Sequence, residues 1–291
     1  MLDVTPTAIL FPGQGSQVPG MRELVASARP DLLEAVLDLV GDDPFERIDE
    51  STRFAQPAIF CASLAGWSRA AESVETPIAF AGHSLGELTA LAAGGVLDDH
   101  DALRLVVLRG ALMADSGEAS GGGTMLAVLG AEPEQAAAIA ERHGVSVAND
   151  NAVGQIVLSG ASDDLNAVRR QVRADGMRAI PLHVSGAFHS PQMAAAVEPF
   201  RTALDEVQLY APSAVVISCA TARPFTDPCS ELADALVSPV LWRQTMTALD
   251  EIGARAYLDC GPGTVLAKLT PRCVPGAAVV TVDDLQLAPT S

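Results

Sequence analysis

A chain of 291 residues, 49% hydrophobic and 19% charged, has the apolar content to bury a large core and too little charge to stay unfolded. A net charge of −18 with a single lysine, Lys268, argues against general nucleic-acid binding, which needs a positive surface. No apolar run approaches the roughly eighteen residues of a membrane helix, and MLDVTPTAILFPGQG lacks the basic and long apolar stretches of a secretion signal, so a cytoplasmic protein is expected.

The first predicted element is TAILF (7–11), a short apolar run that reads as a buried strand ending at the turn GQGSQ. Helical patterns follow at 21–40 and 54–72. A second buried strand, IAFAG (78–82), is broken by HSLGE and followed by an alanine-rich helix through Ala93. Asp101 is positioned to cap a helix over 102–115. Strand and helix alternate as in a parallel α/β sheet.

The stretch SGEASGGG (116–123) reads as flexible linker, and beyond it the rhythm changes. Strands at 124–130, 145–150, 155–160 and 178–184, with helices near 132–143 and 162–174, run β-α-β-β-α-β, the ferredoxin-like split pattern. The expected architecture is a large α/β-hydrolase-like parallel-sheet body, residues 1–122 and 187–291, with an inserted ferredoxin-like subdomain at 123–186. The body resumes with a helix near 191–206 and the strand AVVIS (214–218). Cys61, Cys219, Cys229, Cys260 and Cys273 form no CxxC pair or Cys/His cluster and read as reduced thiols.

Gly82-His83-Ser84-Leu85-Gly86 fits G-x-S-x-G, a serine on a sharp strand-to-helix turn. The glycines allow close packing, and the following helix turns its positive end toward developing charge. Five common residues alone are a weak signal, and an ordinary turn serine is the alternative; the strand before and the helix after favour a nucleophile. A serine needs a nearby base at neutral pH. His189, in the glycine-flanked loop VSGAFHS, is the candidate over His83, His100, His143 and His183.

Arg109 falls at helical spacing with Ala102, Leu105, Val106, Leu112 and Met113 and so projects from an apolar stripe. Buried arginines are rare unless paired. Arg109 is therefore either half of an internal ion pair or a fixed clamp for a substrate carboxylate. The turn Gly13-Gln14-Gly15-Ser16-Gln17 lacks a Walker lysine and the third glycine of a dinucleotide fingerprint, and alone it reads as a turn.

Together these motifs resemble the malonyl-CoA:acyl-carrier-protein transacylases and the acyltransferase domains of polyketide synthases. The matching pieces are FPGQGSQ (11–17), AQPAIF (55–60), GHSLGE (82–87), LRGALM (108–113), GQIVLSG (154–160), GAFHSPQM (186–193), SPVLW (238–242) and GPGTVL (261–266). The resemblance implies a Ser84 nucleophile, a His189 base, an oxyanion hole from the N–H groups of Leu85 and Gln14, and Arg109 on the malonyl carboxylate. Phe188, like the AFH of malonyl-selective domains, and Met113 would complete the substrate-binding set. The carbonyl orienting the histidine would come from near Leu241.

The resemblance further implies ping-pong transfer of malonyl from malonyl-CoA to the phosphopantetheine thiol of an acyl carrier protein, for fatty-acid or polyketide synthesis. No metal or bound cofactor is implied, and neither nucleic acid nor membrane is an expected partner. Nothing requires more than a monomer. Arg169, Arg170, Arg173 and Arg178 form a basic cluster that would offset the acidity of both partners during carrier docking, the alternative being a solvated helix face. The competing enzyme is an acyl-thioester hydrolase, whose catalytic acid would lie between Ser84 and His189, where Asp150 and Asp175 fall. A non-catalytic carrier-binding protein would not need Ser84, His189 and Arg109 together.

Overall fold

The computed structural model describes residues 5–75 and 77–285. In chain order the elements are β1 (Thr7–Phe11), α1 (Met21–Ala28), α2 (Pro30–Val40), α3 (Thr52–Ala70), β2 (Pro77–Gly82), α4 (Gly86–Ala93) and α5 (Asp99–Ala119). Next come β3 (Thr124–Leu129), α6 (Pro133–His143), β4 (Ser146–Ala152), β5 (Gln155–Gly160), α7 (Ser162–Ala174) and β6 (Arg178–Pro181). The chain continues with α8 (Ala194–Asp205), β7 (Val215–Ser218), β8 (Arg223–Pro224), α9 (Pro228–Asp234), α10 (Trp242–Glu251), β9 (Ala256–Asp259), α11 (Val265–Cys273) and β10 (Ala278–Thr281).

The larger sheet has the order β10-β9-β1-β2-β7-β8, parallel except for β8. TAILF is buried at every position because helices cover both faces of the sheet, which is why it carries no polar alternation. Its register sets Leu10 beside Asp259 and Phe11 beside Gly82, so β9, β1 and β2 end side by side. Their three following loops therefore meet at the carboxyl edge, where parallel sheets bind ligands.

The smaller sheet is antiparallel with the order β4-β5-β3-β6, the ferredoxin-like arrangement expected from the sequence. Its strands alternate. Leu126, Val128, Ile156 and Leu158 pack under α6 and α7, while Met125, Ala127 and Val157 face the large core. The sheets are joined where Asn149 of β4 bridges Val240: Asp150 N–H donates to Val240 O at 2.8 Å, and Val240 N–H to Ala148 O at 2.8 Å.

Several boundaries differ from the sequence reading. The helix expected over 21–40 is two, because Pro30 lacks the N–H needed to continue α1 and instead starts α2. The cap of α5 is Asp98, whose carboxylate accepts from His100 N–H and Asp101 N–H, rather than Asp101. That helix also runs on to Ala119, through half of the expected linker. Gly117 lies where a Cβ would be 3.0 Å from Ser185 O, so its lack of a side chain serves packing there. The strand expected over 178–184 ends at Pro181, leaving Leu182 and Val184 free to line the cleft. No helix among the described residues is long and apolar enough to cross a membrane. All five cysteines are free.

Candidate active site

Ser84 sits between β2 and α4 with φ 53°, a left-handed conformation rare outside glycine. The flanking glycines are needed for space. A Cβ on Gly82 would lie 1.9 Å from the Gly86 carbonyl, and one on Gly86 would lie 2.1 Å from Phe11 O. Strain stored at one serine, held by close-packed backbone on both sides, places its hydroxyl at the sheet edge.

Ser84 Oγ lies 2.8 Å from His189 Nε2. His189 also has positive φ, 56°, and is 5% exposed. Its Nδ1 lies 3.0 Å from Ala235 O and 3.1 Å from Ser238 O. Carbonyls only accept, so Nδ1 carries the proton and Nε2 presents a lone pair to the serine. Burial, then the nearby positive charge of Arg109, lowers the imidazole pKa to about 3, so the ring is neutral.

The expected orienting carbonyl of Leu241 is not the one used. Leu241 O accepts from Thr245 N–H and Thr245 Oγ1 at the start of α10, and its N–H donates to Cys219 O. The carbonyls that reach His189 come from the end of α9 and the turn after it, where helix termination leaves carbonyl groups without intrahelical partners.

Arg109 of α5 is 4% exposed, and no carboxylate among the described residues forms an ion pair with it. Its Nη1 donates to Gln56 Oε1 at 2.7 Å and its Nη2 to Ser84 Oγ at 3.2 Å. Gln56 is fixed in turn by donating to Thr52 Oγ1 at 2.8 Å and Met113 Sδ at 3.3 Å. Burial lowers the guanidinium pKa to about 10, partly offset by Glu87, and leaves it charged at neutral pH. The internal ion pair left open by the sequence is not formed. A buried cation without a bonded counter-charge is suited to an incoming anion.

These groups line one cavity of about 80 Å³, together with Gln14, Leu85, Met113, Met125 and Phe188. The N–H groups of Gln14 and Leu85 have no acceptor among the described residues and are available as an oxyanion pair. A groove of about 570 Å³ continues outward, sharing Gln14, Thr52 and Val184 with the cavity, and His183 lines it. Among the described residues no three His, Cys, Asp or Glu side chains are grouped to hold a metal.

Neither acid considered for a hydrolase triad reaches His189. Asp150 is paired with Arg243 at 2.6 Å, and Asp175 accepts from Gln171 Nε2 at 2.9 Å. Of the other histidines, His83 lines the cavity but is held by Asn151 Oδ1 at 2.8 Å, and burial lowers its pKa. The four arginines of the basic cluster lie apart from this cavity. Arg169 is half-buried, Arg170, Arg173 and Arg178 are exposed, and none forms an ion pair among the described residues.

Sequence reasoning missed three side chains around the serine. Gln56 stood within AQPAIF, four residues after Thr52, but only the fold brings it to Arg109. Glu87, in the elbow motif, is buried and accepts from Cys219 N–H at 2.7 Å and Ser218 Oγ at 3.1 Å. Cys219 Sγ accepts the Ser84 N–H at 3.4 Å. Burial raises the Glu87 pKa to about 7, opposed first by the Cys219 N–H.

The family model for the acyl transferase domain matches residues 9–285. The chain is 34% identical over 301 residues to the malonyl CoA-acyl carrier protein transacylase of Haemophilus influenzae, covering 96% of this chain and 95% of that protein. It is 36% identical over 290 residues to polyketide biosynthesis protein ThaF of Burkholderia thailandensis, covering 94% of this chain and 25% of that longer protein. A solved structure of a type II polyketide-synthase acyl-carrier protein in complex with its malonyl-transacylase matches with a TM-score of 0.88 and 32% identity, over 97% of each chain. With its elbow serine, neutral histidine and buried arginine in one cavity, the chain belongs to the acyl transferase domain family and is an acyltransferase.

Proposed function

We propose that this chain transfers a malonyl group from malonyl-CoA to the phosphopantetheine thiol of an acyl carrier protein, through an ester on Ser84. The observation that carries the reading is Arg109: buried, without an ion-pair partner among the described residues, and 3.2 Å from Ser84 Oγ. A malonyl thioester carries its carboxylate one methylene from the carbonyl that Ser84 attacks, and a guanidinium this close to Oγ suits so short a separation. Names of relatives that pair malonyl-CoA with a carrier support the same substrates.

The steps follow from the geometry. His189 Nε2 takes the Ser84 proton as Oγ attacks the thioester carbonyl. The oxyanion accepts from the N–H groups of Leu85 and Gln14. Collapse breaks the C–S bond, and the imidazolium returns its proton to the departing thiolate of CoA. In the second half-reaction the carrier thiol gives its proton to His189, attacks the Ser84 ester and displaces the serine, which is reprotonated. Phe188 and Met113 bound the acyl space. The reaction consumes no cofactor.

The carrier docks, in this reading, on Arg169, Arg170, Arg173 and Arg178, arginines not drawn into ion pairs among the described residues of a chain of net charge −18. The parallel-sheet body (1–122 and 187–291) and the inserted unit (123–186) act as two subdomains enclosing the cleft. The reading keeps a monomer, in which Ser84, His189 and Arg109 meet within one chain, and the cytoplasm as the compartment of its CoA thioester donor.

The test is intact-mass analysis after incubation with malonyl-CoA, methylmalonyl-CoA or acetyl-CoA, before and after adding a holo carrier. A malonyl adduct absent from Ser84→Ala and passed to the carrier is the expected result. Acetyl labelling as strong as malonyl would remove the role of Arg109. An adduct decaying to free malonate with none on the carrier would make the chain a hydrolase.

A further inference from the structure

The motif Gly261-Pro262-Gly263 has no part in the chemistry above, yet it is built into the support of the Gln14 turn. The loops after β9, β1 and β2 lie next to one another. On one side the Gln14 loop meets the elbow, where a Cβ on Gly13 would lie 2.7 Å from His83 O. On its other side it meets the Gly261–Gly263 loop. A Cβ on Gly261 would lie 1.9 Å from Pro12 Cγ, and one on Gly263 would lie 2.7 Å from Ser16 O. Gln14 is thus suspended between Pro12 and Ser16, both of which touch that loop, and Ser16 Oγ donates to Gly13 O at 2.8 Å.

The loop is itself anchored by Asp259, which is 0% exposed. One carboxylate oxygen accepts from Gly261 N–H at 3.4 Å and the other from Ala267 N–H, in the first turn of α11, at 2.9 Å. Both ends of the loop are therefore tied to one side chain. Cys260 N–H, just before the loop, donates to Leu10 O at 2.9 Å. From beneath, Gly66 of α3 comes so close that a Cβ there would lie 2.2 Å from Cys260 O.

We infer that Asp259 and the Gly261–Gly263 loop are positioning residues for the oxyanion hole, setting where the Gln14 N–H lies relative to that of Leu85. The inference rests on the proposed role of Gln14 as an oxyanion donor. An oxyanion donor acts on the transition state and little on bound thioester, and losing one costs roughly a hundredfold or more in rate. Displacing Gln14 should therefore slow chemistry while leaving substrate affinity intact.

The experiment compares wild type, Gly261→Ala, Asp259→Asn and a remote core variant, Val36→Ala, chosen to lose stability without touching the cleft. Formation of malonyl-Ser84 is followed by rapid quench and intact mass, and the Kd of malonyl-CoA is measured in the Ser84→Ala background. The expected result is an acylation rate at least about tenfold lower in Gly261→Ala, a smaller fall in Asp259→Asn, Kd within about twofold throughout, and a normal rate in Val36→Ala. Wild-type acylation in Asp259→Asn, or in folded Gly261→Ala, overturns the inference; so does a loss that Val36→Ala shares. Should Gly261→Ala fail to fold, Asp259→Asn decides. Absence of malonyl-Ser84 in wild type overturns the proposed function, and this inference with it.

Discussion

His189 Nδ1 lies 3.0 Å from the carbonyl oxygen of Ala235, so the base is oriented by a neutral dipole, with Ser238 O as a second acceptor at 3.1 Å. A carboxylate in that place would raise the basicity of the ring; two carbonyls fix its tautomer and leave burial and Arg109 to hold its pKa near 3. Imidazole 15N shifts of the free enzyme should report a protonated Nδ1 and an unprotonated Nε2 throughout pH 5–7. Titration near 6.5 would contradict this. A malonyl carboxylate on Arg109 offsets the second-largest depressing effect, so the base strengthens when the correct donor binds.

Because only backbone oxygens orient the ring, Ser238→Ala should keep acylation within about threefold of wild type, measured by the same quench assay. A larger loss would give the Ser238 hydroxyl a role that its bond to Asp234 O does not suggest.

Removing the Gln56 amide tests how Arg109 is held. Gln56→Leu leaves a buried guanidinium N–H without its acceptor, and hydrogen bonds to charged groups are worth about 1.5–3 kcal/mol. The expected effect is a fall of about 10- to 100-fold in kcat/KM for malonyl-CoA, with the much weaker acetyl-CoA reaction changed far less. Equal losses for both donors would mean that Gln56 supports the fold rather than the anion site.

Glu87 links the elbow to pH. Its folded pKa, about 7, lies above the ordinary 4.5, so the folded state keeps a proton that the unfolded chain releases. Its contribution to stability is therefore full below about pH 4.5 and is lost as pH rises through 7. Urea unfolding midpoints between pH 4.5 and 7.5 should fall less steeply in Glu87→Gln than in wild type. Parallel profiles would show that Glu87 does not titrate across this interval.

Ala222 has φ 54° in the β7–β8 turn and does not line the cavity. Left-handed backbone costs an L-residue about 1–2 kcal/mol, and glycine avoids that while losing more chain entropy on folding. Ala222→Gly should raise stability by about 0.5–1 kcal/mol with unchanged acylation, read from denaturant unfolding and rapid quench.

Side-chain chemistry was legible in the sequence to the extent that it follows the chain locally. The buried strands, the elbow between β2 and α4, and the ferredoxin-like order each leave a local pattern of apolar spacing and glycine. Arg109 could be singled out because a charge in an apolar stripe needs a reason. Contacts made by backbone leave no such trace: any residue could supply the carbonyls of Ala235 and Ser238, and the expectation settled on Leu241. Gln56 meets Arg109 only because α3 packs beside α5, a distance of 53 residues along the chain. The linker reading failed over 116–119 because glycine at 117 is there for contact with Ser185, not for freedom.

The stretch from Ala235 to Val240 does two things at once. The carbonyls of Ala235 and Ser238 hold His189, and its last residue, Val240, bridges Asn149 of the smaller sheet. Seen as a circuit, the chain runs from the base through this stretch into β4, across β5, β3 and β6, and back along the 182–189 loop to the base. A histidine wired into such a closed ring has few independent degrees of freedom. Any tilt of the small sheet registers at the imidazole, and the aim of the proton acceptor is inseparable from the width of the cleft.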